Sequence, residues 1–333
     1  MSSDNTQPRH RVIGLDDEDI HEIYYKLLLT RAMDVRFGLL NRQGKVMAYA
    51  SCQGQEGAQV GSTWALSPED WIALSYREHG VAIARGMSLR DIFTYGLHRA
   101  NDPNSQGRQI PGHYASQALH ILSGSSPVGT QLPHAAGSAL ASQLLGRNEA
   151  TIVYFGDGAT STGDAHAAMN FSAIHLLPVV FLCQNNDWAI SVSNKLQFAV
   201  QSLVQRAAGY GIPAVQVNAS DTLAVYAATS EALARAHAGR GPSFIEAKCK
   251  RLSSHTTDDD QRRYRTKAEI ETDRAFDPLP LFEGYMRSAG LWDDALAKDI
   301  QAKVAAEIDD AQHYAENSPL PKPEDALTGV FAQ

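Results

Sequence analysis

At 333 residues the chain is long enough to bury roughly two domains or one large α/β domain, and 44% hydrophobic, 20% charged and 8% aromatic residues describe a soluble globular protein, not a disordered or fibrous one. A formal charge of -8 argues against nucleic acid or an anionic membrane as the main partner, because both require a concentrated basic surface. Cys52, Cys183 and Cys249 are far apart and form no CxxC pair, which suggests neither a zinc site nor a disulfide framework and fits a reducing cytoplasm. No apolar run reaches the roughly 18 residues of a membrane span, and "MSSDNTQPRHR" has no apolar core of the kind a secretory signal needs.

In chain order, residues 1–15 read as a disordered polar tail. From Asp16 to Arg42 the apolar residues Ile20, Ile23, Tyr24, Leu27, Leu28, Val35 and Leu39 fall on one helical face, with acids at the start and Gly44 after the end, so a long packed helix is predicted. Between Ser51 and Gln131 dense glycines and prolines predict loops and short helices, among them "SYREHG", "GRQIPGHY" and "SGSSPVGTQ". Loops rich in Arg, His, Tyr and permissive Gly collect ligand groups, although turn formation alone accounts for most of the glycines.

The pattern then becomes regular. "ATIVYF" reads as a buried strand, "AHAAMNFSAIHLL" as a helix and "PVVFLC" as a second strand, and residues 212–250 repeat the arrangement. Strand, helix and strand with short links make right-handed βαβ units. The predicted fold is α/β: an open, mainly parallel sheet flanked by helices over 16–276, with a helical extension over 277–333. Ligands of such sheets bind at the carboxyl ends of the strands. The extension includes Leu296, Ile300, Val304 and Ile308 at four-residue spacing, for the edge of the core or another subunit.

Asp157 follows the first strand of the regular region and Asn186 the second, so parallel pairing brings them together across 29 positions. A carboxylate and an amide oxygen are hard ligands suited to Mg²⁺, which takes few donors from protein and leaves room for phosphate and water. Gly156 and Gly158 would let the backbone turn and approach that phosphate, and Ser161 with Asp164 has the spacing of a capping box. Taken singly, Gly-Asp-Gly and Asn-Asn are common turns; at the two ends of one βαβ unit they point to a site. A dinucleotide fingerprint fails because Ser161 stands at the third glycine position and no acid ends the second strand; no Walker loop is present either.

This GDG…NN arrangement resembles the thiamine-diphosphate motif, and the chain from about Asp16 to about Pro321 is similar to alpha subunits of the first component of 2-oxo acid dehydrogenases. "GRQIPGHY", "SSPVGTQ" and "SSHTTDDDQRRYR" resemble the branched-chain branch, which implies substrates such as 2-oxoisovalerate. The resemblance implies Mg²⁺ ligation by the side chains of Asp157 and Asn186 and the carbonyl of Trp188. It places Tyr76 and Arg77 on the diphosphate, Ser126 and Val128 along the aminopyrimidine, and Gly156, Gly158, Ala159 and Gln184 around the cofactor. His255 matches the histidine that contacts the cofactor and assists reductive acylation of a lipoyl group. Gln184 stands where the family often has Arg or Glu, and Asp187-Trp188 where Gly-Tyr or Phe-Tyr is common.

The resemblance further implies a heterotetramer of two alpha and two beta chains, a lipoyl-bearing acyltransferase partner, and an activating glutamate supplied by the beta subunit. The isolated chain would then be inactive. Pyruvate or acetoin dehydrogenase alpha subunits, and a catalytically silent assembly module of the same fold, are the alternatives. His113 and His134 read as structural or pocket-lining, and "DDD" at 258–260 as a solvated loop face that Arg262, Arg263 and Arg265 could order on ligand binding.

Overall fold

A computed structural model describes residues 7–328. Its helices are α1 (Arg9–Val12), α2 (Asp17–Arg42), α3 (Glu56–Trp64), α4 (His79–Ala84), α5 (Leu89–Gly96), α6 (Gln131–Leu144), α7 (Gly163–Ile174), α8 (Asn194–Gln197), α9 (Val204–Ala208), α10 (Thr222–His237), α11 (Lys267–Asp273), α12 (Pro278–Ser288) and α13 (Asp294–Glu316). The strands are β1 (Trp71–Ala73), β2 (Ile121–Leu122), β3 (Thr151–Gly156), β4 (Val179–Asn185), β5 (Trp188–Ala189), β6 (Val192–Ser193), β7 (Ala214–Asn218) and β8 (Ser243–Lys248).

Six strands form one sheet in the order β2-β1-β3-β4-β8-β7, and every pairing in it is parallel. The α/β fold and both βαβ units are therefore as expected. Alternation along the strands sends Ile152, Tyr154, Val180 and Leu182 into one hydrophobic layer and Val153, Phe155, Val179 and Phe181 into the other. Helices α6 and α7 cover the second layer with small residues, Ala135, Ala136, Ala139, Ala165 and Ala168, which let the helices lie close to the sheet. The chain leaves β1 towards the β2 edge and leaves β3 towards β4, so a crevice opens at the carboxyl ends between them, the place where open α/β sheets bind ligands.

Several expectations are corrected. Residues 1–6 lie outside the described residues, but from Pro8 onward the segment is no loose tail: buried His10 contacts the Tyr285 hydroxyl at 2.7 Å and the Asp17 carboxylate at 2.9 Å. Helix α2 begins with a reciprocal capping box between Asp16 and Asp19, both bonds 2.9 Å. Its buried stripe follows Ile20, Ile23, Tyr24 and Leu27 as predicted but continues through Met33, Phe37 and Leu40, leaving Val35 and Leu39 exposed. A straight helix has 3.6 residues per turn, so a face read from its first turns drifts over 26 residues. Helix α7 is capped by Thr162, which accepts from the Ala165 amide, and the expected Ser161–Asp164 box does not form. Helix α13 is part of the main core through Val304, Ile308, Ala311 and Ala315. Among the described residues, no helix is long and apolar enough to cross a membrane.

His79, at the start of α4, is fully buried and stacks on Tyr49 with 4.8 Å between ring centroids. Nε2 donates to the Ala50 carbonyl and Nδ1 accepts from the Tyr114 hydroxyl, both at 2.9 Å. Burial, opposed by the nearby Asp34 charge, lowers its pKa to about 4. The unfolded chain would protonate His79 near pH 6.5 while the native chain would not, so stability should fall as the pH drops from about 6.5 towards 4. The expected slope is up to about 1.4 kcal/mol per pH unit. Urea unfolding at pH 7 and 4.5 should show this loss in the wild type and a smaller one in His79→Gln.

Candidate functional site

The register of β3 and β4 sets Gly156 opposite Gln184, so the next residues of each strand enter the crevice together. The backbone amide of Asn186 donates to Asp157 Oδ1 at 3.3 Å. Asp157 is almost fully buried, and its Oδ2 has no hydrogen-bond partner among the described residues. Burial raises its carboxyl pKa to about 6. Asn186 Oδ1 accepts the Trp188 amide at 3.2 Å and retains a second lone pair. The neighbouring Asn185 points elsewhere, donating to Glu246 Oε1 at 2.7 Å.

The two glycines do not use the left-handed region. Neither Gly156 nor Gly158 has a positive φ. A Cβ on Gly158 would lie 3.0 Å from that of Ala189, while Gly156 borders open space in the cavity. The strained positions come later: Asp187 has φ +70° and Ile190, a β-branched residue, has φ +52°. Asp187 is held by Lys248 at 2.5 Å and Lys250 at 2.6 Å, and the Ile190 carbonyl accepts from Arg251 at 2.9 Å. These bonds fix the loop that presents Asn186 and Trp188.

"SYREHG" crosses from β1 into α4 on the other side of the crevice. Arg77 is buried; Nη1 donates to the Ser51 carbonyl at 2.5 Å and Nη2 to His255 Nδ1 and O at 3.1 and 3.0 Å. Tyr76 meets the His255 ring edge-on at 6.0 Å. Because Nδ1 of His255 accepts, the ring proton sits on Nε2. Burial, together with the guanidinium groups of Arg77 and Arg251, lowers its pKa to about 3, so the imidazole is a neutral donor near pH 7.

All the predicted positions line one cavity of about 510 Å³: Tyr76, Arg77, Ser126, Val128, Gly156, Asp157, Gly158, Ala159, Gln184, Asn186, Trp188 and His255. His113 also lines it, whereas His134 is exposed on α6. The Gln184 amide is already committed within the chain, donating to Glu78 at 2.7 Å and accepting from Gln59 at 3.0 Å. Its side chain holds Glu78 in place and leaves the cavity's anion-facing role to others. Sequence reasoning passed over Glu78, Gln55 and Arg251, which also line the cavity. Glu78 could have been suspected from its place beside Tyr76-Arg77; nothing in the sequence marks Gln55.

Two guanidinium groups, those of Arg77 and Arg251, in a cleft at strand ends suit an anionic ligand, and similarity to known proteins gives the family. Residues 24–324 match the family described as "Dehydrogenase E1 component". The chain belongs to the E1 dehydrogenase family.

It is 44% identical over 98% of its length to the "2-oxoisovalerate dehydrogenase subunit alpha" of Bacillus subtilis, covering 99% of that protein. It is 37% identical to the "3-methyl-2-oxobutanoate dehydrogenase subunit alpha" of Mycobacterium tuberculosis, over 96% of this chain and 84% of the relative. The mitochondrial "2-oxoisovalerate dehydrogenase subunit alpha" of Homo sapiens is 35% identical, over 96% and 72%.

One loop of this E1 chain corrects the sequence reading. Asp259 is no solvated face residue: it accepts from the His255 amide at 2.8 Å and from the Tyr264 hydroxyl. Of the arginines beside it, Arg262 pairs with Asp260 at 2.8 Å, but Arg265 turns inward to Asp273 and the Arg251 carbonyl. Arg251 in turn reaches the Tyr264 hydroxyl at 2.8 Å and His255 Nδ1 at 3.4 Å. The loop is therefore held by its own contacts. Arg251→Gln removes one of the two cations beside His255. Its imidazole pKa should move up from about 3 towards the ordinary 6.5, read by NMR titration of the labelled histidine; an unmoved pKa would refute the assigned cause.

Proposed function

We propose that this E1 chain is the alpha subunit of a branched-chain 2-oxo acid dehydrogenase. It would decarboxylate acids such as 2-oxoisovalerate and pass the acyl group to the lipoyl group of a partner acyltransferase. The reading is carried by the orphaned Asp157 carboxylate oxygen beside the Asn186 amide, in the same cavity as Arg77, Tyr76 and His255. The names of the relatives support the branched-chain substrate.

The donor set fits Mg²⁺. Among the described residues no group of three or more His, Cys, Asp or Glu could hold a metal. One buried carboxylate with an amide oxygen suits an ion that completes its shell from phosphate and water. Asp157, Asn186 and the Trp188 carbonyl would hold it. Arg77 and Tyr76 would face the diphosphate, Gly156, Gly158 and Ala159 would let it approach, and Ser126 with Val128 would line the aminopyrimidine.

Thiamine diphosphate, when bound, supplies the carbon nucleophile and the electron sink for loss of carbon dioxide. The chain's own residues orient and exclude. Ala48, Ala50, Ile110, Pro111 and Ile190 make much of the wall apolar, which favours an aliphatic side chain. Neutral His255 offers an Nε2–H donor to oxygen that gains negative charge as the keto group reacts.

The beta partner is required by what the cavity does not offer. Its carboxylates are Asp157 and Glu78, and Glu78 is occupied by the amides of Ser75 and Gln184 at 2.9 and 2.7 Å. With Asp157 given to the ion in this scheme, neither would act on the cofactor ring. Val128 and Ile190 line the cavity and are exposed, a rim suited to a second chain; two alpha and two beta chains in a cytoplasmic complex complete the proposal.

Two measurements test it. Co-expressed with its beta partner, the protein should turn over 2-oxoisovalerate faster than pyruvate or acetoin, and alone it should be inactive; equal rates without the partner would refute the scheme. Asp157→Ala should abolish magnesium-dependent thiamine diphosphate binding in calorimetry, with a loss of at least about a hundredfold for a buried ligand and its charge.

A further inference from the structure

His113 lies in the cavity wall yet has no part in the scheme above. His113 is buried and fixed at three points, one on its backbone and two on its ring. Its amide donates to the Tyr95 hydroxyl at 2.8 Å, Nδ1 meets the Ile110 carbonyl at 2.9 Å, and Nε2 meets the hydroxyl of Ser126. Tyr95 donates to the same carbonyl at 2.5 Å. The segment carrying His113 is tightly placed: Gly112 has φ +100°, and a Cβ there would sit 2.1 Å from the Tyr76 carbonyl oxygen. Only glycine fits that position.

A carbonyl oxygen can only accept, so Nδ1 of His113 must carry the proton. A neutral ring then has an acceptor at Nε2, and burial holds this imidazole below its ordinary pKa. The Ser126 hydroxyl must therefore spend its proton on Nε2. What remains for the cavity is a pair of lone pairs, an acceptor and not a donor.

We infer that His113 is a positioning residue that fixes the sense of the Ser126 hydroxyl, making it an acceptor for an N–H group of the ligand bound beside it. Resting on the function proposed above, that ligand group is an amine of the thiamine diphosphate aminopyrimidine. Without His113 the hydroxyl rotates freely and can present either sense. The bond to the ligand is then no longer preorganised, although no contact to the ligand itself has been removed.

The tautomer is read directly by ¹⁵N NMR of labelled histidine in the ligand-free chain. Protonated Nδ1 and unprotonated Nε2 are expected for His113; the opposite tautomer overturns the inference whatever the protein binds. Binding is then measured in the co-expressed alpha-beta complex by calorimetry with thiamine diphosphate and Mg²⁺. Both H113M and S126A should weaken binding about tenfold, the size of one hydrogen bond. The double variant should be no more than about twofold worse than either, since both remove one coupled device. H113Q, whose amide oxygen can accept from Ser126, should stay within about threefold of wild type. Multiplying losses in the double variant, or unchanged affinity in S126A, overturns the inference. No binding by the wild type would instead sink the proposed function, and the NMR result would still decide the role of His113.

Discussion

The parallel pairing of β3 with β4 is the constraint on which the site depends. Six successive residue pairs, from Thr151 with Val179 to Gly156 with Gln184, set the two strand ends level. Side chains alternate along a strand, so a slip of one residue would exchange the two hydrophobic layers and turn Asn186 away from Asp157. The register is protected because both faces are buried: a slip would drive Phe155 and Phe181 towards the α2 side and Tyr154 out of reach of Ser62, whose hydroxyl it meets at 2.9 Å. Core packing and ligand geometry are thus enforced by the same pairs.

Around that fixed point the cavity is completed by segments from distant parts of the chain, each attached by buried polar bonds. Arg77 joins the loop after β1 to Ser51 and to His255; Arg251 joins the loop after β8 to Ile190 and Tyr264. Guanidinium groups suit this task because five donors in a rigid plane can serve several carbonyls at once. Their second effect is electrostatic. Burial and the two cations beside His255 keep it neutral, and the Arg77 bond to Nδ1 assigns its proton to Nε2. Structural bracing and the protonation state of the site histidine therefore have a common origin.

Much of this was legible in the sequence. Apolar runs of five or six residues with a helix between them specified β3, α7 and β4, and the polar residues at the strand ends specified the site. The corrections share a physical reason: local spacing says nothing of partners far along the chain. Val35 and Leu39 fit the helical face drawn from the first turns of α2, yet Met33 and Phe37 are the residues that meet Tyr49 and Phe93. Asp259 looked like one acid of three, and only the fold brings Tyr264 and the His255 amide to it. His10 looked like part of a polar tail, and its anchor, Tyr285, is 275 positions away.

Gln184 organises its surroundings through both ends of its amide. A cation at this position would stand beside Glu78 and could neutralise it within the chain. The amide instead links Gln59 to Glu78, and Gln59 also accepts from the Gly80 amide at 2.9 Å through its own carbonyl. Burial raises the Glu78 pKa, with the nearby Arg77 charge and the hydrogen bonds from Arg77, Ser75 and Gln184 opposing the rise. Arg77 is consequently a buried cation close to both Glu78 and the expected diphosphate. A buried ionic group left without its partner is far more costly than one that never had it, so replacement of Arg77 would disturb the fold of the crevice as well as ligand binding. The cleft thus holds two buried cations, Arg77 and Arg251, and both stand beside His255.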